Sequence, residues 1–388
     1  MRIREIREVT VPLSGAVSNA VVNFNGHTVS VVAVISDATR QGKSVAGVAF
    51  NSIGRYGQAG ILQERMIPRL LAAEPETLLD ASTGGFDPAA VAACAMRNEK
   101  PGGHGDRAAA LGALELAFWD LNAKLENEPA YATIARAFSL ETADQGIPVY
   151  AAGGYYRGDN NVEALRDELR GYADLGFDAF KIKIGGAPLA EDMARIEAAL
   201  AIAGTGRRLA VDANGRFDID MALAYARAMR PYDLRWYEEA GDPADYDALR
   251  TLAEAYDAPI ATGENLFSTQ DVTNLLRYGG MRPGLDVFQM DAGLSYGLTE
   301  YVRMLALLEE RGFNRRSMQP HGGHLINLHI ATALGLGGCE AYPGVFQPFG
   351  GYCDECRIED GLIRPGQSPG FGLEAKAELR PIIKDMLA

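Results

Sequence analysis

At 388 residues the chain has room for two domains, or for one barrel-sized domain with an attachment. Its 51 acidic against 37 basic side chains, a formal charge of -14, argue against nucleic acid or an anionic membrane as the main partner. A small anionic substrate stays open, because a local cluster of cations can oppose the global sign. The four cysteines suggest no disulfide framework, and the one CxxC, CDEC at 353–356, has no second pair with which to build a zinc centre.

The chain opens MRIREIREVTVPL, charged residues alternating with apolar ones and no hydrophobic leader core. No later apolar run approaches membrane-spanning length, so a cytoplasmic protein with no membrane partner is expected. Residues 1–60 contain alternating β-rich segments (REIREVTVPL, HTVSVVAVISD, SVAGVAF) broken by Gly and Asn turns, which predicts a small antiparallel sheet. In residues 107–125, RAAALGALELAFWDLNAKL, apolar positions recur every three or four residues, the pattern of an amphipathic helix. Together they predict an N-terminal α+β domain over 1–125.

From about 147 short apolar runs alternate with helical stretches: PVYAAGG, AFKIKIGG, RLAVDANG, LRWYEEAGD, APIATGEN, DVFQMDAG, RSMQPHGG and GCEAYPG. Eight strand-then-helix units in a row imply parallel strands joined by crossovers, and eight closes a TIM-type barrel. The expected architecture is a TIM-type (β/α)7–8 barrel over 126–349 with an N-terminal α+β capping domain. The tail, 350–388, is expected to pack back on the cap.

Chemistry in such a barrel sits at the C-terminal ends of the strands. The polar residues closing successive runs are Lys183, Asp212, Glu238, Glu264, Asp291, His321 and Glu340, at separations of 29, 26, 26, 27, 30 and 19 residues. Each step is about one strand, one helix and two loops, so these groups converge on one mouth. Asp212, Glu238 and Glu264 come from three adjacent strands and present only hard oxygen donors, a set that favours Mg²⁺ over zinc. Taken singly, each is as readily a strand cap or the partner of a surface lysine; in register they are not. Glu239, next to Glu238, is expected on the other face of its strand.

Lys181 and Lys183 in FKIKIGG are two apart, so both face the barrel interior while Phe180, Ile182 and Ile184 face the helices. Burying two cations is costly unless anions compensate. One lysine alone would serve to neutralise the carboxylates; two fit a division of labour. A nearby metal and mutual repulsion would lower one lysine pKa enough for it to act as a base. Asp291 and His321 end neighbouring strands, which would set the carboxylate beside the imidazole and raise its basicity. His324, in HGGH, reads as structural or as a support to that pair.

With KIK at 181–183, VDANG at 211–215, WYEE at 236–239, TGEN at 262–265, Asp291 and PHGG at 320–323, the chain resembles the mandelate racemase/muconate lactonizing enzyme family of the enolase superfamily. ALELAFWDLNAKLENEP and PGFGLE are similar to that family's capping domain. The resemblance implies Mg²⁺ on Asp212, Glu238 and Glu264, Lys183 as base on one face of the substrate, and the His321/Asp291 pair on the other. Lys181 would help neutralise the substrate carboxylate or the developing enediolate. FNSIGRYGQAG at 50–60, NEKPGGHGDR at 98–107, VYAAGGYYRG at 149–158 and YPGVFQPFGGY at 342–352 look like the tartrate-dehydrating type of acid-sugar dehydratase. That likeness implies Lys100, Asn19, Asn51, Tyr155, Asn214 and Glu340 as substrate contacts and a symmetric homo-oligomer. Ile53 departs from the type, which has a polar residue there. Capping loops near residues 15–25 and 50–58 are expected to shape the pocket. The rivals are a racemase or epimerase with the same two bases, a Schiff-base aldolase using Lys183, and a catalytically silent binding protein on the same frame.

Overall fold

The structure is a computed structural model that describes every residue except 16, 103, 141–145 and 157–161. Ala16, Gly103, Arg157 and Gly158, which belong to loops and motifs quoted above, lie outside the described residues.

The alternating N-terminal segments form β1 (Ile3–Pro12), β2 (Thr28–Arg40) and β3 (Lys43–Phe50), an antiparallel sheet in the order β1-β2-β3. Arg40 pairs with Lys43, so only Gln41 and Gly42 join the last two strands. Both hold left-handed backbone, as a two-residue hairpin matched to strand twist requires.

The stretch 107–125 folds as part of the helix Gly105–Glu126, but without the exposed face that its pattern predicts. Residues 108–121 are all buried because the helix lies between the sheet and the second domain. Two glycines permit the close approach: a Cβ at Gly47 would stand 2.1 Å from the Ala117 carbonyl oxygen, and one at Gly112 2.6 Å from that of Gly293. At the inner surface the fully buried Glu115 carboxylate accepts from Leu298 N–H (2.8 Å), from the Thr299 backbone (3.0 Å) and hydroxyl (2.6 Å), and from Trp119 Nε1 (3.0 Å). It thereby caps the N-terminus of the barrel helix Leu298–Glu310, whose own N-cap, Gly297, has no side chain to do so. Glu115→Ala would strand these buried donors, at a cost of roughly 3 kcal/mol. Thermal unfolding should show a fall on the order of 5 °C or more, about half of it recovered in Glu115→Gln.

β4 (Ile147–Gly153), β5 (Phe180–Lys183), β6 (Leu209–Asp212), β7 (Tyr237–Glu238), β8 (Ile260–Thr262) and β9 (Val287–Phe288) pair in parallel in chain order. β10 (Cys339–Ala341) pairs in parallel with β4. The seventh run, RSMQPHGG, is reduced to one parallel bridge, Met318 to Phe288, and Gly337 N–H donates to the Met318 carbonyl on the way to β10. Helices such as Val162–Asp174, Leu189–Ala203 and Ile219–Met229 fill the crossovers. The architecture is a TIM-type (β/α)7–8 barrel with an α+β cap.

The tail first adds the hairpin of β11 (Ile358–Glu359) and β12 (Leu362–Ile363) to the barrel sheet, antiparallel to β4. Beyond it Phe371 N–H donates to Asp120 (2.6 Å), Lys124 pairs with Glu374 (2.5 Å), and Arg7 donates to the Met386 carbonyl (2.6 Å). Among the described residues no helix is long and apolar enough to cross a membrane.

Candidate active site

The strand ends open on a cavity of about 250 Å³, lined from the barrel by Lys183, Asn214, Glu264 and His321 and by Tyr155 and Tyr342, which follow the paired strands β4 and β10. The cap closes it with Asn19, Val22 and Phe24 from one loop and Ile53 to Arg55 from another. Lys181 lies deeper, 1 % exposed. Its ammonium pairs with Glu340 at 2.7 Å, Glu238 at 2.8 Å and Asp212 at 3.7 Å, while Lys183 pairs with Asp212 at 2.5 Å. Register produces these pairs: Lys183 sits opposite Asp212, and Asp212 opposite Glu238, on adjacent parallel strands.

Burial works against the Lys181 charge, but the fields of Glu238, Glu340 and Asp212 outweigh it and hold the ammonium well above its usual range. Lys183 behaves alike, burial being overcome chiefly by Asp212. The expected lowering of a lysine pKa is therefore not seen in this charge arrangement, because each ammonium has its own carboxylate. Asp212 is held down at about 2, burial being outweighed by the two lysines.

His321 Nδ1 stands 3.1 Å from Asp291 Oδ2, and its Nε2 lies 3.6 Å from Glu264. Burial lowers the imidazole pKa, but Glu264, the Asp291 bond and Glu340 raise it further, to about 8. Asp291 is fixed in turn: Oδ1 accepts from Gly293 N–H at 2.8 Å. His324 Nδ1 accepts from Asn327 N–H at the start of the helix Leu325–Leu334, so its Nε2–H donates to Ser52 Oγ at 2.9 Å. Burial lowers the His324 pKa to about 4, which keeps it neutral in this support role.

Glu239 corrects the alternation argument. Its φ of 38° takes the backbone out of the strand directly after Glu238, and the side chain lines the cavity instead of facing away. Glu238 points inward and accepts from Lys181, Trp236 Nε1 (2.9 Å) and Gln289 Nε2 (2.8 Å). Glu340 spans the floor, its second oxygen accepting from Gly322 N–H at 3.0 Å.

Of the expected substrate contacts, Tyr155, Asn19 and Asn214 line the cavity. The Asn19 Oδ1 is taken up by Val21 and Val22 N–H, and Asn214 folds its amide back on Asp212 at 3.2 Å. Asn51 does not reach the cavity: it accepts from Ser30 N–H (2.7 Å) and donates to the Tyr56 carbonyl (3.3 Å), pinning the loop that presents Ile53 and Arg55. Lys100 is exposed and is not among the lining residues; its carbonyl accepts from Arg107 at 2.8 Å. The residue missed was Arg55, which lines the cavity and donates to Asn265 Oδ1, while Asn265 Nδ2 donates to Glu239 at 2.8 Å. Its sequence cue was a lone cation in the GRYG loop.

Asp212, Glu238, Glu239, Glu264, Asp291 and Glu340 outnumber Lys181, Lys183, Arg55 and His321 around this mouth. Burial and the neighbouring Asp212 push Glu238 up to about 7, and burial with Glu264 and Asp212 pushes Glu239 well above the carboxylate range. The hard oxygen donors are of the kind a divalent cation takes, but among the described residues no three of them are placed around one position: Glu238 is turned to Lys181, Trp236 and Gln289, and Asp212 to the two lysines.

Fold and strand-end arrangement define a barrel with an acidic, lysine-bearing mouth under a cap. Residues 164–379 match the Enolase C-terminal domain-like family, and the chain belongs to it. It is 28% identical over 235 residues to an arabinonate dehydratase of Saccharolobus solfataricus, a match spanning 60% of each chain, so less than two thirds of that relative's length. It is 26% identical over 329 residues to an L-talarate/galactarate dehydratase of Salmonella typhimurium, covering 84% of this chain and 77% of that one. Among solved structures, a racemase from Streptomyces coelicolor A3(2) with bound magnesium superposes with a TM-score of 0.77 at 24% identity, over 95% of this chain and 96% of that one.

Proposed function

We propose that the chain is an Mg²⁺-dependent dehydratase of a small hydroxy acid, with D-tartrate to oxaloacetate as the leading reaction. The observation that carries it is the pairing, in one small cavity, of a buried lysine and a histidine backed by a carboxylate at 3.1 Å. Similarity to two acid-sugar dehydratases supports loss of water as the outcome. Lys183 would remove the proton alpha to the substrate carboxylate once a cation drawn to Asp212 relieves the 2.5 Å pairing that otherwise keeps its ammonium protonated. His321, oriented by Asp291, delivers a proton to the departing beta hydroxyl, and the resulting enol tautomerises to the keto acid. A divalent ion held by Asp212, Glu238 and Glu264 would supply Lewis-acid stabilisation of the negative charge that develops at the carboxylate. Lys181 and Glu340 form the floor, and Arg55 takes the place foreseen for Lys100 as the cation for a second carboxylate.

A cavity of about 250 Å³ lies below the range that holds drug-sized ligands, which suits an acid of four to six carbons. The second reading is a racemase or epimerase using the same two groups, favoured by the structural likeness to a racemase. Purified protein with Mg²⁺ should convert D-tartrate, within a panel of hydroxy mono- and diacids, to a 2-keto product trapped by semicarbazide. Inverted stereochemistry without keto acid would assign the racemase instead. EDTA is expected to abolish turnover and excess Mg²⁺ to restore it; full activity in EDTA would rule out the metal-dependent mechanism.

A further inference from the structure

The CDEC segment plays no part in the cavity, yet its two thiols lie together. Cys353 and Cys356 are both free, with sulfurs 3.6 Å apart, in a turn closed by Cys356 N–H donating to the Cys353 carbonyl at 2.9 Å. A disulfide needs the sulfurs at about 2.05 Å, a further approach of about 1.5 Å. Among the described residues no group of three or more thiol, imidazole or carboxyl side chains is placed to hold a metal ion. The two thiols are also unequal. The hydrogen bond between them holds the Cys353 thiol down and pushes Cys356 up.

The turn is joined to the cavity floor. Tyr352, next to Cys353, donates its hydroxyl to the Glu340 carbonyl and touches Cys339 Sγ at 3.0 Å. Gly351 N–H donates to the Gly323 carbonyl at 2.8 Å, and the Glu340 carboxylate holds both Gly322 N–H and Lys181. A shift of Cys353 toward Cys356 therefore pulls on β10 and on the loop that carries His321.

We propose that Cys353 and Cys356 form a reversible dithiol–disulfide couple whose state is transmitted to Glu340 through Tyr352. The co-reactant is a low-molecular-weight disulfide of the glutathione class. The thiolate of one member of the pair attacks one of its sulfurs, forming a mixed disulfide and releasing one small thiolate, which takes up a proton. The other member loses its proton and attacks the first protein sulfur, expelling the second small thiol. The protein dithiol is oxidised by two electrons, the small disulfide is reduced to two thiols, and excess thiol reverses the exchange.

The test equilibrates the full-length protein in glutathione buffers from fully reduced to fully oxidised, then alkylates under denaturing conditions and maps peptides by mass. Alkylatable thiols should fall from four per chain to two, with the internal disulfide in the 353–356 peptide and complete reversal by dithiothreitol. Cys356→Ser and Cys353→Ser should both form no internal disulfide, and the variant that keeps the attacking thiol should accumulate a glutathione adduct on it. Hydrogen exchange at Gly322 and Glu340 should change by about threefold or more on oxidation of the wild type and not of Cys353→Ser. Four alkylatable thiols at every poise would overturn the couple, and oxidation that leaves exchange at both amides unmoved would overturn the link. Neither readout uses turnover, so failure of the dehydratase reading leaves the result interpretable.

Discussion

Lys183→Met is expected to lower keto-acid formation by about 10³-fold or more, the upper part of the range for removing a general base. The variant keeps the length of the side chain against Tyr155, whose ring lies 5.2 Å from the ammonium, so folding should survive. It also leaves Asp212 without its 2.5 Å partner, though Lys181 at 3.7 Å remains. The informative control is His321→Asn. That change should abolish dehydration to a similar degree but leave alpha-proton exchange with D₂O intact, because Lys183 is still present. If Lys183→Met exchanged the alpha proton at the wild-type rate, the base would have to be reassigned. Equal loss of exchange in both variants would point to a shared positioning defect.

The second large effect is on acid stability. His329 is 1 % exposed on the helix Leu325–Leu334, between Tyr131 and Phe371, and its Nδ1 accepts from Tyr131 N–H at 3.3 Å. Burial alone lowers its pKa to about 3. The unfolded chain binds this proton below about 6.5 and the folded chain only near 3, so the contribution is complete above 6.5 and lost as pH falls through that window. At pH 4.5 the loss is about 3 kcal/mol, at 1.36 kcal/mol per unit. His324 adds a loss of the same sign, ending near 4. Denaturant unfolding from pH 7 to 4.5 should therefore show a steep fall in the wild type and a shallower one in His329→Phe, which has no proton to take up. Parallel slopes would show that His329 does not govern acid lability.

The strand-end residues could be read from sequence because a polar group recurs about once per strand-helix unit and parallel register then sets the groups side by side, as Lys183, Asp212 and Glu238 show. Alternation failed at Glu239 because it presumes that the strand continues, and a left-handed residue ends it there. The seventh strand kept its position but not its ladder, so hydrophobic content alone overstated it. Cap residues were least legible: Asn51 and Arg55 share one loop, and which of them faces the cavity depends on the bonds Asn51 makes to Ser30 and Tyr56. Periodicity carries no record of such bonds. The long cap helix was located to within two residues, yet its burial on all sides required knowing that two domains enclose it.

The carboxylate of Glu115 also bears on how the cavity can open. Swinging the cap away as a rigid lid would pull this buried anion from the start of the Leu298–Glu310 helix, and three hydrogen bonds would break together where water is excluded. The hinge is locked at its base. The cap residues that line the cavity, Asn19 to Phe24 and Ile53 to Arg55, lie on loops apart from that seam, so an opening of the cavity is expected at these loops and not by separation of the domains.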